Sequence, residues 1–349
     1  MSKSLLDRTA EPSAPVGQPQ GAASDDRRSV RRHRLRVGIA CFVAAAFVVG
    51  GGAGVDRYVE TFWLYRGYAA PARPRVIEVG SGQLRRRVAV LAGTVQTISV
   101  ESPALGKRRL KVIVYLPPGY QTQSPRKYPT FILLDGYPGT PAQFVSVGDI
   151  AVTADVLLAE HRIRPMIFVM PSGAFHFFDD NEWANSVRRH TAWETFVAVD
   201  LVRAIEHRYR TIERGDARAI GGLSEGGYGA LNIAFHHPGE FDVIEGWSAY
   251  YRADRSPSLF GDRRALLAYN SPLLDVAHVA GALRKHHTYI WLYTGKLDRT
   301  RFQSQAFARE LTDLQVAHEY AGEPGRHNWS LWRSMMVPSL TVASEHLDG

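Results

Sequence analysis

The sequence predicts an α/β fold, a mostly parallel central sheet with helices on both faces, preceded by one N-terminal transmembrane helix. Three observations predict it. Short apolar runs that stop at Gly, Asp or Pro alternate with segments whose apolar residues recur at helical spacing, the pattern of strand–helix–strand units. One such run enters a Gly-x-Ser-x-Gly turn that opens a helix. Ahead of them all, a cluster of arginines precedes nineteen uncharged residues.

Taken in order, residues 1–36 are rich in Ser, Pro, Ala, Gly and Gln and lack an apolar period, so a disordered tail is expected. They carry eight Lys/Arg against four Asp/Glu, most of the basic ones between Arg27 and Arg36. No aromatic-interleaved patch or binding motif accompanies this charge, so it reads as a topology signal and no nucleic-acid partner is expected. Residues 37–55 would reach ~28 Å as a helix, close to the thickness of a bilayer core. The arginines before them predict a cytoplasmic N-terminus and an extracytoplasmic body, single-pass at the cell membrane. A cleaved signal would show the same charge pattern and give a secreted protein, but no small-x-small site follows Val49, only a glycine-rich run. A lipoprotein signal fails because Cys41, the single cysteine, stands near the start of the run. With one cysteine there is no intrachain disulfide.

Residues 56–93 read as a stalk, with Tyr58, Phe62, Trp63 and Tyr65 either at the bilayer interface or packed on the domain. Residues 94–349 read as one domain, a routine size for a single α/β unit. Strands are expected at Thr94–Val100, Leu110–Leu116, Thr130–Leu134, Met166–Met170, Ala217–Gly222, Val243–Trp247, Tyr289–Tyr293 and His318–Ala321. Helices are expected at Trp193–Tyr209, Gly226–His236, Phe302–Leu314 and Trp329–Val342.

The sharpest local signal is Gly222-Leu223-Ser224-Glu225-Gly226. Alone the pattern is weak, and a capping serine in a Gly-rich turn would look the same. Between an apolar strand and an Ala-containing helix it describes a nucleophile elbow, in which glycines fit beside a strained serine. The helix behind the serine points N–H groups and a positive dipole end at a developing oxyanion. A serine hydroxyl needs a base, and the base an orienting carboxylate. Asp298 follows the strand Tyr289–Tyr293 through Thr294-Gly295-Lys296-Leu297, and is the candidate acid. It could instead cap the next helix, and Glu323 is a possible substitute. Gly325-Arg326-His327-Asn328-Trp329 follows the last strand, and His327 outranks the other histidines by position. The oxyanion donors are expected to be the backbone N–H groups of Glu225 and of Tyr137, which follows Asp135-Gly136 at a strand end; Pro138 has no N–H. Asp135 is either a strand-end turn residue or a substrate-binding group.

At these residues the chain resembles the esterase-D-like family of α/β-hydrolases, which includes siderophore and feruloyl esterases, S-formylglutathione hydrolases and the antigen 85 mycolyltransferases. The similarity spans about residues 95–345. It includes Tyr115-Leu116-Pro117-Pro118-Gly119-Tyr120, and also Leu133-Leu134-Asp135-Gly136, Trp193-Glu194-Thr195-Phe196 and the Gly-x-His-x-Trp-x-x-Trp ending from Gly325 to Trp332, the last three of which look most like the antigen 85 branch. The resemblance implies Ser224 as nucleophile, His327 as base and the Tyr137 and Glu225 N–H groups as oxyanion hole. It also implies a serine esterase of carboxylic acyl esters, with an envelope glycolipid as a conceivable substrate and no metal or organic cofactor. The loop Tyr137-Pro138-Gly139-Thr140 departs from the charged acceptor loop of the antigen 85 branch. Acyl transfer to a sugar hydroxyl is therefore the alternative to hydrolysis, and a non-catalytic envelope-binding protein the second alternative.

Overall fold

The computed structural model describes residues 75–80, 86–122, 125–176, 179–253 and 257–348. The chain divides into Met1–Glu60 and Thr61–Gly349, and every described residue lies in the second unit. The basic tail and the expected membrane segment 37–55 lie outside the described residues. Among those described, no helix is long and apolar enough to cross a membrane.

Eight strands form the central sheet. They are β3 (Thr94–Ser102), β4 (Arg108–Leu116), β5 (Thr130–Leu134), β6 (Ile167–Pro171), β9 (Arg218–Leu223), β10 (Val243–Trp247), β11 (Tyr289–Gly295) and β12 (His318–Glu323). Their order is β12-β11-β10-β9-β5-β6-β4-β3. β3, β4 and β6 pair antiparallel, and all other neighbours pair parallel. All eight expected strands are present, so the mostly parallel α/β-hydrolase-like sheet read from the sequence is borne out. Two short ribbons stand apart from it, β1 (Val76–Val79) with β2 (Arg86–Ala89) and β7 (Asn185–Ser186) with β8 (Thr191–Ala192). The first falls in the segment expected to be a stalk. Its strands are four residues long, too short for alternation to stand out.

The central strands are buried on both faces, which is why they read as continuous apolar runs. Successive side chains still point to opposite sides. Ile132 and Leu134 pack with Val114, Val169, Ile220 and Leu231, whereas Phe131 and Leu133 pack with Phe168, Met170, Trp247 and Trp291.

Helices follow the strands. They are α1 (Ala142–Ser146), α2 (Ile150–Ala159), α3 (Trp193–Thr195), α4 (Val202–Arg208), α5 (Glu225–His236), α6 (Pro257–Phe260), α7 (Arg264–Tyr269), α8 (Pro272–Lys285), α9 (Arg301–Asp313), α10 (Trp329–Ser334) and α11 (Met336–His346). A π-helical segment, Phe196–Leu201, joins α3 to α4. The expected last helix breaks at Met335 (φ −93°, ψ 3°) and then runs on to His346. The Asn328 side chain starts α10 by accepting the Leu331 N–H. Helices α1, α2 and α6–α8 were not among those expected; α1, α6 and α7 are too short to show a period, whereas α8 does carry an apolar stripe, Val276, Ala280 and Leu283, at helical spacing.

A buried ion cluster fastens α3 to the far end of α5. Glu194 accepts from His236 Nδ1 at 2.9 Å and from His237 Nε2 at 3.1 Å. His236 Nε2 lies 2.9 Å from the Tyr269 carbonyl, which can only accept, so His236 donates from both nitrogens and is an imidazolium. Burial opposes charge on both partners, but their mutual attraction wins. Glu194 falls to about 2 and His236 rises above the usual histidine range. The depressed Glu194 contributes stability above its unfolded pKa that is lost as pH falls toward about 2. The raised His236 contributes stability below the unfolded histidine pKa that is lost as pH rises through its elevated value. Glu194→Gln leaves a buried imidazolium unpaired and is expected to destabilise the fold by about 3 kcal/mol at neutral pH. Urea titrations of both proteins check this, and the difference between them should shrink once the pH exceeds the His236 titration.

Candidate active site

The site lies at the carboxyl ends of β5, β9, β10, β11 and β12. β9 is buried along its length and delivers Ser224 at φ 57° and ψ −116°. A non-glycine residue holds a positive φ only where its surroundings enforce it. The enforcement is visible on both sides of the serine. A Cβ on Gly222 would lie 2.3 Å from the Leu134 carbonyl oxygen, and one on Gly226 would lie 2.0 Å from the same atom. Only glycine lets β9 and α5 approach β5 this closely. The Ser224 N–H donates to the Trp247 carbonyl at 2.8 Å, which ties the turn to β10.

The loop after β12 brings His327 over the serine, with Nε2 2.8 Å from Ser224 Oγ. The other ring nitrogen, Nδ1, is 2.9 Å from Asp298 Oδ2. Asp298 is fully buried at its side chain, and His327 is about one-third exposed. The capping alternative for Asp298 proves compatible with contact to the histidine. Oδ1 accepts from the Thr300 N–H at 2.9 Å and the Thr300 hydroxyl at 3.0 Å at the start of α9, leaving Oδ2 for the imidazole. Burial alone would raise the Asp298 pKa, but His327, the Thr300 N–H and the Ser248 hydroxyl together hold it below the usual aspartate range. Glu323 ends β12 and makes no contact with His327; its carbonyl accepts the Lys296 N–H.

One residue of this network, Ser248, was not legible in the sequence. Ser248 leaves β10 at φ 52° with its side chain buried. Its hydroxyl bonds to Asp298 and accepts from Trp332 Nε1 at 3.2 Å. The Trp332 ring also meets the His327 ring edge-on, with centroids 5.2 Å apart. The signal for Ser248 was its place directly after a buried strand, beside two other strand ends already assigned to the site.

Next to Ser224 lies a small pocket whose lining includes Asp135, Gly136, Tyr137, Trp183 and Glu225. The Glu225 N–H opens α5, where helix geometry leaves it without an intrahelical acceptor. Among the described residues, neither this N–H nor that of Tyr137 donates to another protein group. Asp135 ends β5 and is 6% exposed. Burial pushes its carboxyl up to about 8, against hydrogen bonds from its own N–H and that of Gly173. Around neutral pH it is therefore mostly a neutral acid, able to donate. The Glu225 side chain turns inward and accepts the Glu182 N–H at 2.7 Å. Burial, then the Glu182 and Asp180 carboxylates, push it well above the usual range. Asp180, Glu182 and Glu225 could offer three oxygens to a cation. Their oxygens are already engaged in part, Glu182 by the Tyr250 hydroxyl, and the raised pKa of Glu225 favours holding a proton instead.

Comparisons with known proteins place this geometry in context. An esterase of Mycobacterium tuberculosis is 35% identical over 244 residues, covering 62% of this chain and 52% of that protein. The chain spans about half the length of the curated relatives it matches. Among solved structures, a ferulic acid esterase superposes with a TM-score of 0.66 at 24% identity, covering 74% of this chain and all of the other. Mycobacterium tuberculosis MPT51 superposes with a TM-score of 0.57 at 15% identity, over 74% of this chain and all of that one. These likenesses show the fold. The Esterase family model matches residues 102–342, more than half of the chain. The kinship expected from the motifs is borne out: this chain belongs to the Esterase family.

Proposed function

We propose that the chain hydrolyses carboxylic acyl esters through a covalent acyl-enzyme. Ser224 Oγ attacks the ester carbonyl while His327 Nε2 takes its proton. Asp298 holds the imidazole in the tautomer that accepts at Nε2 and stabilises the imidazolium that forms. The N–H groups of Tyr137 and Glu225 receive the oxyanion, which needs donors fixed before the charge appears. His327 then protonates the leaving alcohol, and water activated by the same imidazole releases the acid. Asp135 is the substrate-binding group at the floor of the pocket, donating as a neutral acid. The observation that carries this reading is the continuous hydrogen-bonded series Ser224–His327–Asp298, at 2.8 and 2.9 Å.

The setting is part of the proposal. The arginine cluster and the uncharged residues 37–55 support a single-pass anchor, with the hydrolase domain outside the cytoplasm acting on an acyl ester of the cell envelope. Water is the proposed acceptor. Transfer to a sugar hydroxyl needs buried polar groups that make the sugar competitive with water, and the Tyr137-Pro138-Gly139 loop offers few of them. Incubation with a short acyl ester and excess trehalose should give free acid as the main product. Acyl-trehalose as the main product would replace hydrolysis by transfer.

A further inference from the structure

A cleft of about 480 Å³ opens beside the catalytic pocket, and Asp179 lines both. Its two walls come from distant parts of the chain, the turn between β3 and β4 and the β7–β8 ribbon. Each wall is fixed by side-chain hydrogen bonds. Asp200 accepts from the Ser102 hydroxyl at 2.5 Å and from the Ala104 N–H at 3.0 Å, which holds the first turn. The Ser186 hydroxyl accepts the Arg189 N–H at 3.0 Å and donates to the Leu259 carbonyl at 3.0 Å, which holds the second. The cleft is thus shaped before any ligand arrives, so that little ordering is left for binding to supply.

Its lining is cationic. Arg108 and Arg189 face one acid, Asp179, and that carboxylate is already bonded to the N–H groups of Phe175 at 3.1 Å and His176 at 2.9 Å. The Arg108 guanidinium carbon lies over the Phe175 ring, 4.0 Å from its centroid. A cation–π contact uses the charge and not the N–H donors, which are the groups that grip a carboxylate or phosphate in bidentate fashion. Among the described residues Arg108 forms no ion pair. Arg189 is steadied by donating to the Asp180 carbonyl, and its charge acts on the Asp180 carboxylate as well as on the cleft.

We propose that this cleft binds an anionic group of the ester substrate, with Arg108 and Arg189 as the guanidinium ligands. The inference rests on the esterase reading and narrows its substrate class to esters that carry a carboxylate or phosphate away from the scissile bond. One molecule then spans both sites, its carbonyl at Ser224 and its anion between the two arginines. Neutral esters fill only the first.

The test uses matched pairs of aryl esters on one preparation, so that the ratio of kcat/KM values is independent of the folded fraction. In the acyl arm, mono-p-nitrophenyl esters of adipic, suberic and sebacic acids are compared with their methyl-capped diesters. In the alcohol arm, 4-acetoxybenzoate is compared with its methyl ester. The wild-type protein is expected to prefer the anionic member of one arm by about fivefold to tenfold, the scale of a charge-assisted contact in an open cleft. The preference should fall as salt is raised. Arg108→Gln with Arg189→Gln should bring the ratio to about one, and Arg108→Glu with Arg189→Glu should reverse it. The identity of the responding arm says which half of the ester carries the anion. No preference in either arm, or a preference that survives the double substitution, overturns the proposal. Failure of the wild-type protein to hydrolyse any neutral ester would instead overturn the esterase reading.

Discussion

Ser224→Ala is expected to lower ester hydrolysis ~10³-fold or more and to abolish covalent labelling by a fluorophosphonate, which reacts at an activated serine. The size of the loss follows from geometry. His327 Nε2 stands 2.8 Å from Ser224 Oγ, and without the hydroxyl the base has no nucleophile to deprotonate. Residual turnover then comes only from binding and oxyanion donors acting on water. The fold should survive, because the φ of 57° is imposed by the close approach of β5, β9 and α5 and not by the hydroxyl. A Tm near that of wild type together with an unlabelled, inactive protein is the expected pair of results. A folded Ser224→Ala protein with full activity would remove Ser224 from the mechanism.

Asp298→Asn should cost ~10²–10⁴-fold in turnover with little change in KM. The amide oxygen can still accept from the Thr300 N–H and hydroxyl, so the start of α9 is preserved. The amide NH₂ then faces His327 Nδ1 where a carboxylate oxygen stood. Nδ1 must accept from it, which places the proton on Nε2 and points it at the serine. That tautomer cannot take the proton of Ser224. Glu323→Gln is the control, and near wild-type turnover is expected because Glu323 does not reach the histidine. The opposite pattern, an active Asp298→Asn and an inactive Glu323→Gln, would reassign the acid.

The sheet was legible because burial on both faces makes each strand a short apolar run, and glycine, aspartate or proline marks where it ends. Thr130–Leu134 and Val243–Trp247 begin and end where they were expected. Ser224, Asp298 and His327 were legible because each lies in the turn or loop that follows a strand read from the sequence, and the structure joins the three in one hydrogen-bonded series through His327. Ser248 was not, since a lone buried serine has no spacing to betray it. Neither was the inward turn of the Glu225 side chain, because its partner at 182 lies 43 residues away in sequence. Helices α6 and α7 escaped because four and six residues offer too few positions for a period, and the β1–β2 ribbon, with strands of four residues, for the same reason.

The distance along the chain between the parts of the site has a consequence for biosynthesis. Ser224 and His327 are 103 residues apart. A ribosome adds about 5–20 residues per second, so the serine leaves it roughly 5–20 s before the histidine. During that interval even the elbow is incomplete, because the Ser224 N–H awaits the carbonyl of Trp247. The nascent protein therefore passes through translation carrying an ordinary, unreactive hydroxyl. Chemical competence arrives in one late event, when β12 adds to β11 and the loop that follows it lays His327 between Asp298 and Ser224.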